Sequence, residues 1–113
     1  DNTYSKHINA SKEYIYSHIK ERITIEDLAD SLGVSASYLS RLFKKETGKS
    51  FVGYLTGYRM EKAARMLVET NEKSYMIAKS VGYTDANYFS YVFKRQYGVS
   101  PSKYRTEYAK GEK

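Results

Sequence analysis

Two short stretches of the chain place side chains that can contact nucleic-acid bases at the spacing of a single helix face. Each stretch carries four such side chains at i, i+3, i+4 and i+7, positions that share one side of a helix. The first set is Ser37, Ser40, Arg41 and Lys44, and the second is Asn87, Ser90, Tyr91 and Lys94. Arginine can bind guanine, asparagine adenine and serine either, while an aromatic ring packs against the thymine methyl group. A polar face is equally typical of any solvent-exposed helix, so the spacing alone leaves both interpretations open.

Positive charge is concentrated around these two sets. Residues 35–50 hold four basic residues and one acidic residue, and residues 84–105 hold the same numbers. The whole chain has 19 basic and 13 acidic residues, a net charge of +6, although residues 1–34 hold six acidic residues and only four basic ones. Such clustering favours double-stranded DNA, whose phosphates need neutralising cations beside each reading face. The residues expected to contact phosphates are Ser35, Lys44, Lys45, Lys49, Thr84, Lys94 and Arg95.

An internal repeat covers both sets. With an offset of 49 residues, three identities align, namely Ala29, Ser31 and Gly33 with Ala78, Ser80 and Gly82. The second copy then has one extra residue, and seven further identities align at an offset of 50, namely Tyr38, Ser40, Phe43, Lys44, Gly48, Ser50 and Tyr54 with Tyr88, Ser90, Phe93, Lys94, Gly98, Ser100 and Tyr104. The repeat indicates two copies of one supersecondary unit.

Each copy has the signals of two helices separated by a tight turn. In the first copy Thr24 can cap a helix, Gly33 can end it in the left-handed conformation, and Ser35 can cap the next helix. The corresponding residues of the second copy are Ser74 as the cap, Gly82 as the stop, and Thr84 or Asp85 as the next cap. Ala29 and Ala78 leave room for two helices that cross steeply at the turn. The pattern therefore predicts a helix-turn-helix unit in each copy.

The chain as a whole is predicted to be all-α, with about seven helices. Besides the two units we expect a helix near residues 4–21, a long central helix that follows Ser50, and a short last helix that starts at Pro101. The predicted ranges are 1–50 for the first helix-turn-helix subdomain, 51–68 for the linking helix, 69–113 for the second subdomain, and about 36–47 and 86–97 for the reading helices.

Composition argues against several other classes of protein. The chain has no cysteine, so it forms no disulfides, and a reducing compartment is compatible. His7 and His18 are the only histidines, and their spacing of eleven residues is too long for them to share a metal ion. No phosphate-binding loop or nucleophile–base pair is visible, so we expect no enzyme activity, metal or cofactor. No membrane-spanning stretch or signal peptide is visible either, which favours a cytoplasmic, nucleoid-associated protein without a membrane partner.

Two further interpretations remain open. Thirteen tyrosines among basic residues could stack on the bases of single-stranded DNA or RNA. Several of them fall on helical positions expected to be half-buried, namely Tyr54, Tyr58, Tyr83 and Tyr104. Gly53 and Gly57, at i and i+4 of the central helix, indicate either close helix packing or a surface that a partner protein approaches. The sequence does not separate these two explanations.

The second copy carries a motif that resembles the signature of the AraC family of bacterial transcription regulators. The matching residues are Ile77-Ala78-x-x-Val81-Gly82-Tyr83, Tyr88-Phe89-Ser90, Phe93-Lys94, Gly98-Val99-Ser100-Pro101 and Tyr104-Arg105. The resemblance extends from about residue 8 to residue 105. It implies two helix-turn-helix subdomains joined by a long helix, acting as the C-terminal DNA-binding domain of a larger regulator.

The resemblance also implies roles for individual residues. By position, the base contacts of the family fall on Ser37, Ser40, Arg41, Ala86, Asn87, Ser90 and Tyr91. The family usually has a basic residue where this chain has Tyr91, so we expect the second unit to discriminate less, or to read thymine methyl groups. Tyr38 and Tyr88 recur in both copies and are expected to pack against the first helix of each unit rather than to stack on bases.

Partners are implied by the same resemblance. Family members carry an effector-binding domain or a phosphorylation receiver domain ahead of this module, and the chain opens on Asp1 rather than Met. We therefore expect it to be part of a longer protein, and the first unit looks closest to the response-regulator branch. The implied partners are double-stranded DNA, RNA polymerase and a second copy of the protein, held through the upstream domain.

Overall fold

The computed structural model describes residues 2–109, with side chains from Lys6 onward, and over this range the chain is helical without strands. Its seven helices are α1 (Asn2–Ser17), α2 (Ile25–Leu32), α3 (Ala36–Thr47), α4 (Phe51–Glu69), α5 (Ser74–Ser80), α6 (Ala86–Tyr97) and α7 (Pro101–Tyr108). The all-α prediction is confirmed. Helices α3 and α6 cover the two predicted reading helices.

The chain divides into two compact units, Asp1–Thr56 and Gly57–Lys113. The boundary falls inside α4, so each unit takes part of the long helix into its own core. The three-part division into 1–50, 51–68 and 69–113, which treats α4 as a separate linker, stays a proposal.

The core of the first unit joins α1, α2 and α3. Leu28 of α2 and Leu39 and Phe43 of α3 are fully buried, and Ile15 of α1 is buried with them. Burial of such a side chain stabilises the fold by about 1.5–3 kcal/mol. Since α3 buries this stripe, its opposite side is left for solvent or a ligand.

The second unit repeats this arrangement with α5 and α6. Its buried cluster is Met60, Ala63, Ala64, Leu67, Ile77, Ala78, Val81, Phe89 and Phe93. Ala29 is 2% exposed and Ala78 is 1% exposed, so both alanines lie where the sequence requires a small side chain. A larger residue would separate the two helices that meet there.

The turns of the two units have the same hydrogen bonds. The N–H of Val34 donates to the carbonyl of Ala29 at 3.1 Å, and that of Tyr83 donates to Ala78 at 2.9 Å. Gly33 and Gly82 precede these donors, with φ of 72° and 97°. The bond from five residues back is that of a Schellman turn, which needs a left-handed residue just before the donor. The repeat in sequence is therefore also a repeat in backbone conformation.

Two helix boundaries differ from the prediction. α5 begins at Ser74 itself, with Lys73 as its N-cap and no side-chain capping bond, so the capping role predicted for Ser74 is wrong. The Lys73 carbonyl already accepts from Met76 and Ile77, which places the helix start one residue earlier. α1 ends at Ser17, before the predicted limit near residue 21, and the chain continues in a turn in which the N–H of Glu21 donates to the carbonyl of His18 at 2.9 Å.

Gly53 lies on the exposed first turn of α4. Its N–H donates to the Ser50 hydroxyl at 3.0 Å, and a Cβ at this position would lie 3.2 Å from the same oxygen. Apart from Lys49, no other residue would come within 4 Å of that Cβ. At Gly53 the glycine therefore accommodates the N-cap of α4, and close packing between helices does not explain it.

Candidate nucleic-acid interface

The first reading helix is fixed at its start by Ser35. The Ser35 hydroxyl accepts from the N–H of Tyr38 at 3.1 Å, which satisfies one of the free donors at the N-terminus of α3. Because Leu39, Leu42 and Phe43 are buried, the opposite face is turned outward. The predicted base-contacting residues Ser37, Ser40 and Arg41 are all exposed on it. The structure thus brings the first predicted set together on one accessible face.

Cations border this face. Lys44, Lys45 and Lys49 are exposed, and the first two lie in the last turn of α3. Within residues 2–109 the side chains of Arg41, Lys44 and Lys49 make no hydrogen bond or ion pair. Lys45 does take part in such an interaction. It also lines a shallow depression with Tyr38, Arg41 and Leu42. Lys44 and Lys49 are therefore the cations best placed to bind phosphates.

Tyr38 is half-buried beside the first reading face. Its hydroxyl lies 3.1 Å from Nδ1 of His7, and the two rings meet edge to face at 5.6 Å. The contact is with α1 and not with α2, the first helix of the helix-turn-helix unit, against which Tyr38 was predicted to pack; the half-buried ring is not displayed as a stacking platform.

The second reading helix is capped by an acidic residue. The Asp85 carboxylate accepts from the N–H groups of Asn87 at 2.9 Å and Tyr88 at 3.2 Å. Of the two predicted caps, Thr84 or Asp85, the structure confirms Asp85, and Thr84 is exposed and does not cap the helix. A carboxylate already occupies these donors and would repel a phosphate at the same helix end. The N-terminus of α6 is therefore a poorer phosphate site than that of α3.

The predicted base-contacting residues of α6 are less uniformly accessible than those of α3. Asn87 and Tyr91 are exposed, whereas Ala86 and Ser90 are half-buried. Lys94 is exposed, and within residues 2–109 its ammonium group has no partner. Asn87, Tyr91 and Lys94 are therefore the exposed members of the second predicted face.

A row of aromatic rings runs along α6 and was not anticipated. Tyr88 is 55% exposed, with its ring centre 6.0 Å from that of Tyr83 and 6.2 Å from that of Tyr91. The prediction that Tyr88 packs against the first helix of its unit is wrong, because its ring is exposed and contacts the rings of Tyr83 and Tyr91. The signal in the sequence was the spacing of Tyr88, Tyr91 and Arg95 at i, i+3 and i+7.

Arg95 is held by this row. Its Nη1 donates to the Tyr91 hydroxyl at 3.2 Å, and its Cζ lies 5.8 Å from the centre of the same ring. The guanidinium is exposed and retains further donors. Arg95 was predicted to bind phosphate, but its observed contacts are with a base-contacting residue.

Two side chains of the second unit have shifted pKa values. Burial lowers the pKa of the Arg59 guanidinium, and the nearby Tyr83 opposes the shift. Burial also raises the pKa of the Tyr97 phenol, and Tyr104 raises it further. Arg59 remains charged at any physiological pH, and Tyr97 remains a neutral phenol packed beside the second core.

Other kinds of site were sought in the part of the chain that the structure describes. It contains no group of three or more histidine, cysteine or acidic side chains that could hold a metal ion. None of its helices is both long and apolar enough to cross a membrane.

Comparison with protein families gives a match over most of the chain. The family described as a helix-turn-helix domain matches residues 28–107, which span both units. The chain is also 39% identical over 99 residues to the uncharacterized HTH-type transcriptional regulator YobQ of Bacillus subtilis, covering 88% of this chain and 41% of that protein. It spans less than half the length of this and of other curated relatives it matches.

Two solved structures are similar over nearly the whole fold. The C-terminal domain of AraT, a response regulator from Geobacillus stearothermophilus, is 42% identical with a TM-score of 0.89, covering 94% of this chain and 88% of that one. The DNA-binding domain of the global transcriptional factor AdpA, solved in complex with a target DNA, is 26% identical with a TM-score of 0.82, covering 87% of this chain and 88% of that one.

Proposed function

Since the chain belongs to the AraC-type family of helix-turn-helix domains, we propose that it binds double-stranded DNA sequence-specifically and regulates transcription. Helices α3 and α6 are its two recognition helices and enter adjacent major grooves. One observation carries the proposal. In both units the helix after a Schellman turn buries its apolar stripe and leaves an outward face of base-contacting side chains bordered by cations.

The residues of the two helices divide between base and phosphate contacts. Base edges are read by Ser37, Ser40, Arg41, Ala86, Asn87, Ser90 and Tyr91. Phosphates are bound by Ser35, Lys44, Lys45, Lys49, Thr84 and Lys94, whereas Arg95, which was also predicted to bind phosphate, contacts Tyr91. Within the first group Arg41 is the strongest candidate, because its exposed guanidinium has no partner within residues 2–109 and can form two hydrogen bonds with guanine. Because the two helices differ in sequence, the site of one chain is asymmetric.

A role in regulation follows from the family and not from any reacting group. A DNA-binding module of this kind acts without chemistry of its own, so the chain is not an enzyme. In the full-length protein it acts with an upstream regulatory or receiver domain; AraT, whose C-terminal domain is similar to this chain, is a response regulator. Contact with RNA polymerase, dimerisation through the upstream domain, and a cytoplasmic location at the nucleoid complete the proposal.

Selection of binding sites from random duplex DNA tests this function. The chain should enrich one asymmetric sequence, and Arg41→Ala should relax the preference at one position of it. Flat enrichment would contradict sequence-specific reading. Lys20→Ala, which removes an exposed cation outside both reading helices, is the matched control and should leave the enriched sequence unchanged.

The exposed rings of Tyr88 and Tyr91 favour one competing function, single-strand binding by base stacking. A competition experiment distinguishes duplex binding from single-strand binding. An unlabelled single strand of the selected sequence should displace the duplex only at much higher concentration than the duplex itself. Displacement at equal concentrations would favour single-strand binding instead.

A further inference from the structure

We infer that Tyr91, supported by Tyr88 and Arg95, forms an aromatic contact that recognises the methyl group of thymine, an inference that rests on the proposed function. In this account Arg95 is a positioning residue, and the second unit reads DNA through an apolar contact where a cation was expected.

The first step is that Tyr91 is exposed yet held on two sides. Its side chain is 57% exposed. The Tyr88 ring lies beside it with an angle of 28° between the ring planes, and Arg95 contacts it through one hydrogen bond and a cation–π contact. A ring fixed in this way loses little conformational freedom on binding, which is what makes a tyrosine an effective contact residue.

The second step concerns the chemistry of the row. Tyr88 and Tyr91 present aromatic carbon along one side of α6, and Tyr83, which is half-buried and precedes the helix, lies behind Tyr88. Arg59 lies over this inner ring with its Cζ 5.9 Å from the Tyr83 centre. Of the groups that base pairs present in the major groove, only the thymine methyl is apolar. An aromatic row on a recognition helix therefore discriminates thymine from the other bases.

The third step assigns Arg95. The guanidinium donates to the Tyr91 hydroxyl at 3.2 Å and lies 5.8 Å from the centre of the same ring, so both contacts restrain Tyr91. Lys94, its neighbour, has no such contact within residues 2–109. The two adjacent cations therefore have different roles: Lys94 neutralises phosphate, and Arg95 fixes the orientation of the Tyr91 ring.

Deoxyuridine substitution tests the inference, because it removes only the methyl group. Each thymine of the selected duplex is replaced in turn, and the affinity of the wild-type chain is measured. At one or two positions read by α6 the affinity should fall about fourfold, the factor expected for one buried methyl group. Tyr91→Ala should bind both duplexes equally, while Tyr91→Phe should retain a preference for thymine because the ring remains.

The positioning role of Arg95 has its own readout. Arg95→Gln should reduce the ratio of thymine to deoxyuridine affinity and leave the salt dependence nearly unchanged. Lys94→Gln, the matched control, should keep the ratio and reduce the slope of log affinity against log salt by about one. The reverse result for the two variants would overturn the assignment.

Failure of the inference and failure of the proposed function are distinguishable. A chain that binds the duplex but responds to deoxyuridine at no position overturns the inference alone. A chain that enriches no duplex at all overturns the proposed function, and the inference with it.

Discussion

The hydroxyl of Tyr38, on the first recognition helix, lies 3.1 Å from Nδ1 of His7 on α1. This bond spans 31 residues of sequence and joins the first helix of the chain to the face that carries Ser37 and Arg41. Tyr38 is only one residue from Ser37, so the contact helps to fix the orientation of that face.

Removal of the Tyr38 hydroxyl should weaken the first unit. Tyr38→Phe loses one partly buried hydrogen bond, so we expect the free energy of unfolding to fall by about 1 kcal/mol in denaturant titration. His7→Ala should lower the free energy of unfolding by less in the Tyr38→Phe variant than in the wild type, because the shared hydrogen bond is already lost. Tyr75→Phe removes an exposed hydroxyl and serves as the control. Unchanged stability with a changed base preference would show that Tyr38 contacts DNA instead.

Arg105 should be a strong determinant of stability in the second unit. Its guanidinium donates to the carbonyls of Leu67 at 2.9 Å, Thr70 at 3.1 Å and Glu72 at 2.6 Å, which fastens α7 to the end of α4. Arg105→Ala should lower the free energy of unfolding by about 3 kcal/mol.

The control for this change is Lys103→Ala on the same helix, which should alter stability by less than about 0.5 kcal/mol. Arg105→Lys should recover little, since one ammonium cannot reproduce the planar fork. Equal effects of the alanine variants at 103 and 105 would contradict the role of Arg105.

Experiment should distinguish the two kinds of contact predicted on α3, namely contacts to bases and contacts to phosphates. Arg41→Ala should cost about 1–3 kcal/mol in binding and relax preference at one base. Lys44→Ala should weaken binding to all sequences and reduce the salt slope by about one. Affinity measured against a panel of single-base variants, at several salt concentrations, checks both. Uniform weakening by Arg41→Ala would make it a phosphate contact.

Ala78 should tolerate no larger side chain. It is 1% exposed at the turn of the second unit, so Ala78→Leu should destabilise the fold by about 1–3 kcal/mol through overpacking. Ala10→Leu, the same change at an exposed helical position, is the control. The midpoints of thermal unfolding of the two variants test this prediction. Equal midpoints would mean that the helices do not meet closely at Ala78.

Much of this fold could be predicted because each element carries a local signal. Ser35, Gly33 and Ser100 act where the sequence places them, since caps and left-handed residues depend on a few neighbouring backbone groups. Lys73 and Ser74 show the limit of such signals. Ser74 has the side chain of a good cap, yet Lys73 is the N-cap of α5 and makes no side-chain capping bond.

The candidate site was less predictable than the fold. The spacing along one helix correctly predicted that Ser37, Ser40 and Arg41 are exposed, because the buried stripe of α3 fixes its outer face. It did not anticipate the contact of Tyr88 with Tyr83, because residue 83 lies before α6. Helical periodicity describes each helix separately and contains no information about neighbours outside it.

Footprinting of the chain on its selected duplex tests the central claim most directly. Two helix-turn-helix units that both read DNA should protect two patches of the major groove, about one helical turn or 10 base pairs apart. Arg41→Ala should alter the pattern in one patch and Tyr91→Ala in the other. A single protected patch, insensitive to Tyr91→Ala, would contradict the account and reduce the second unit to a scaffold.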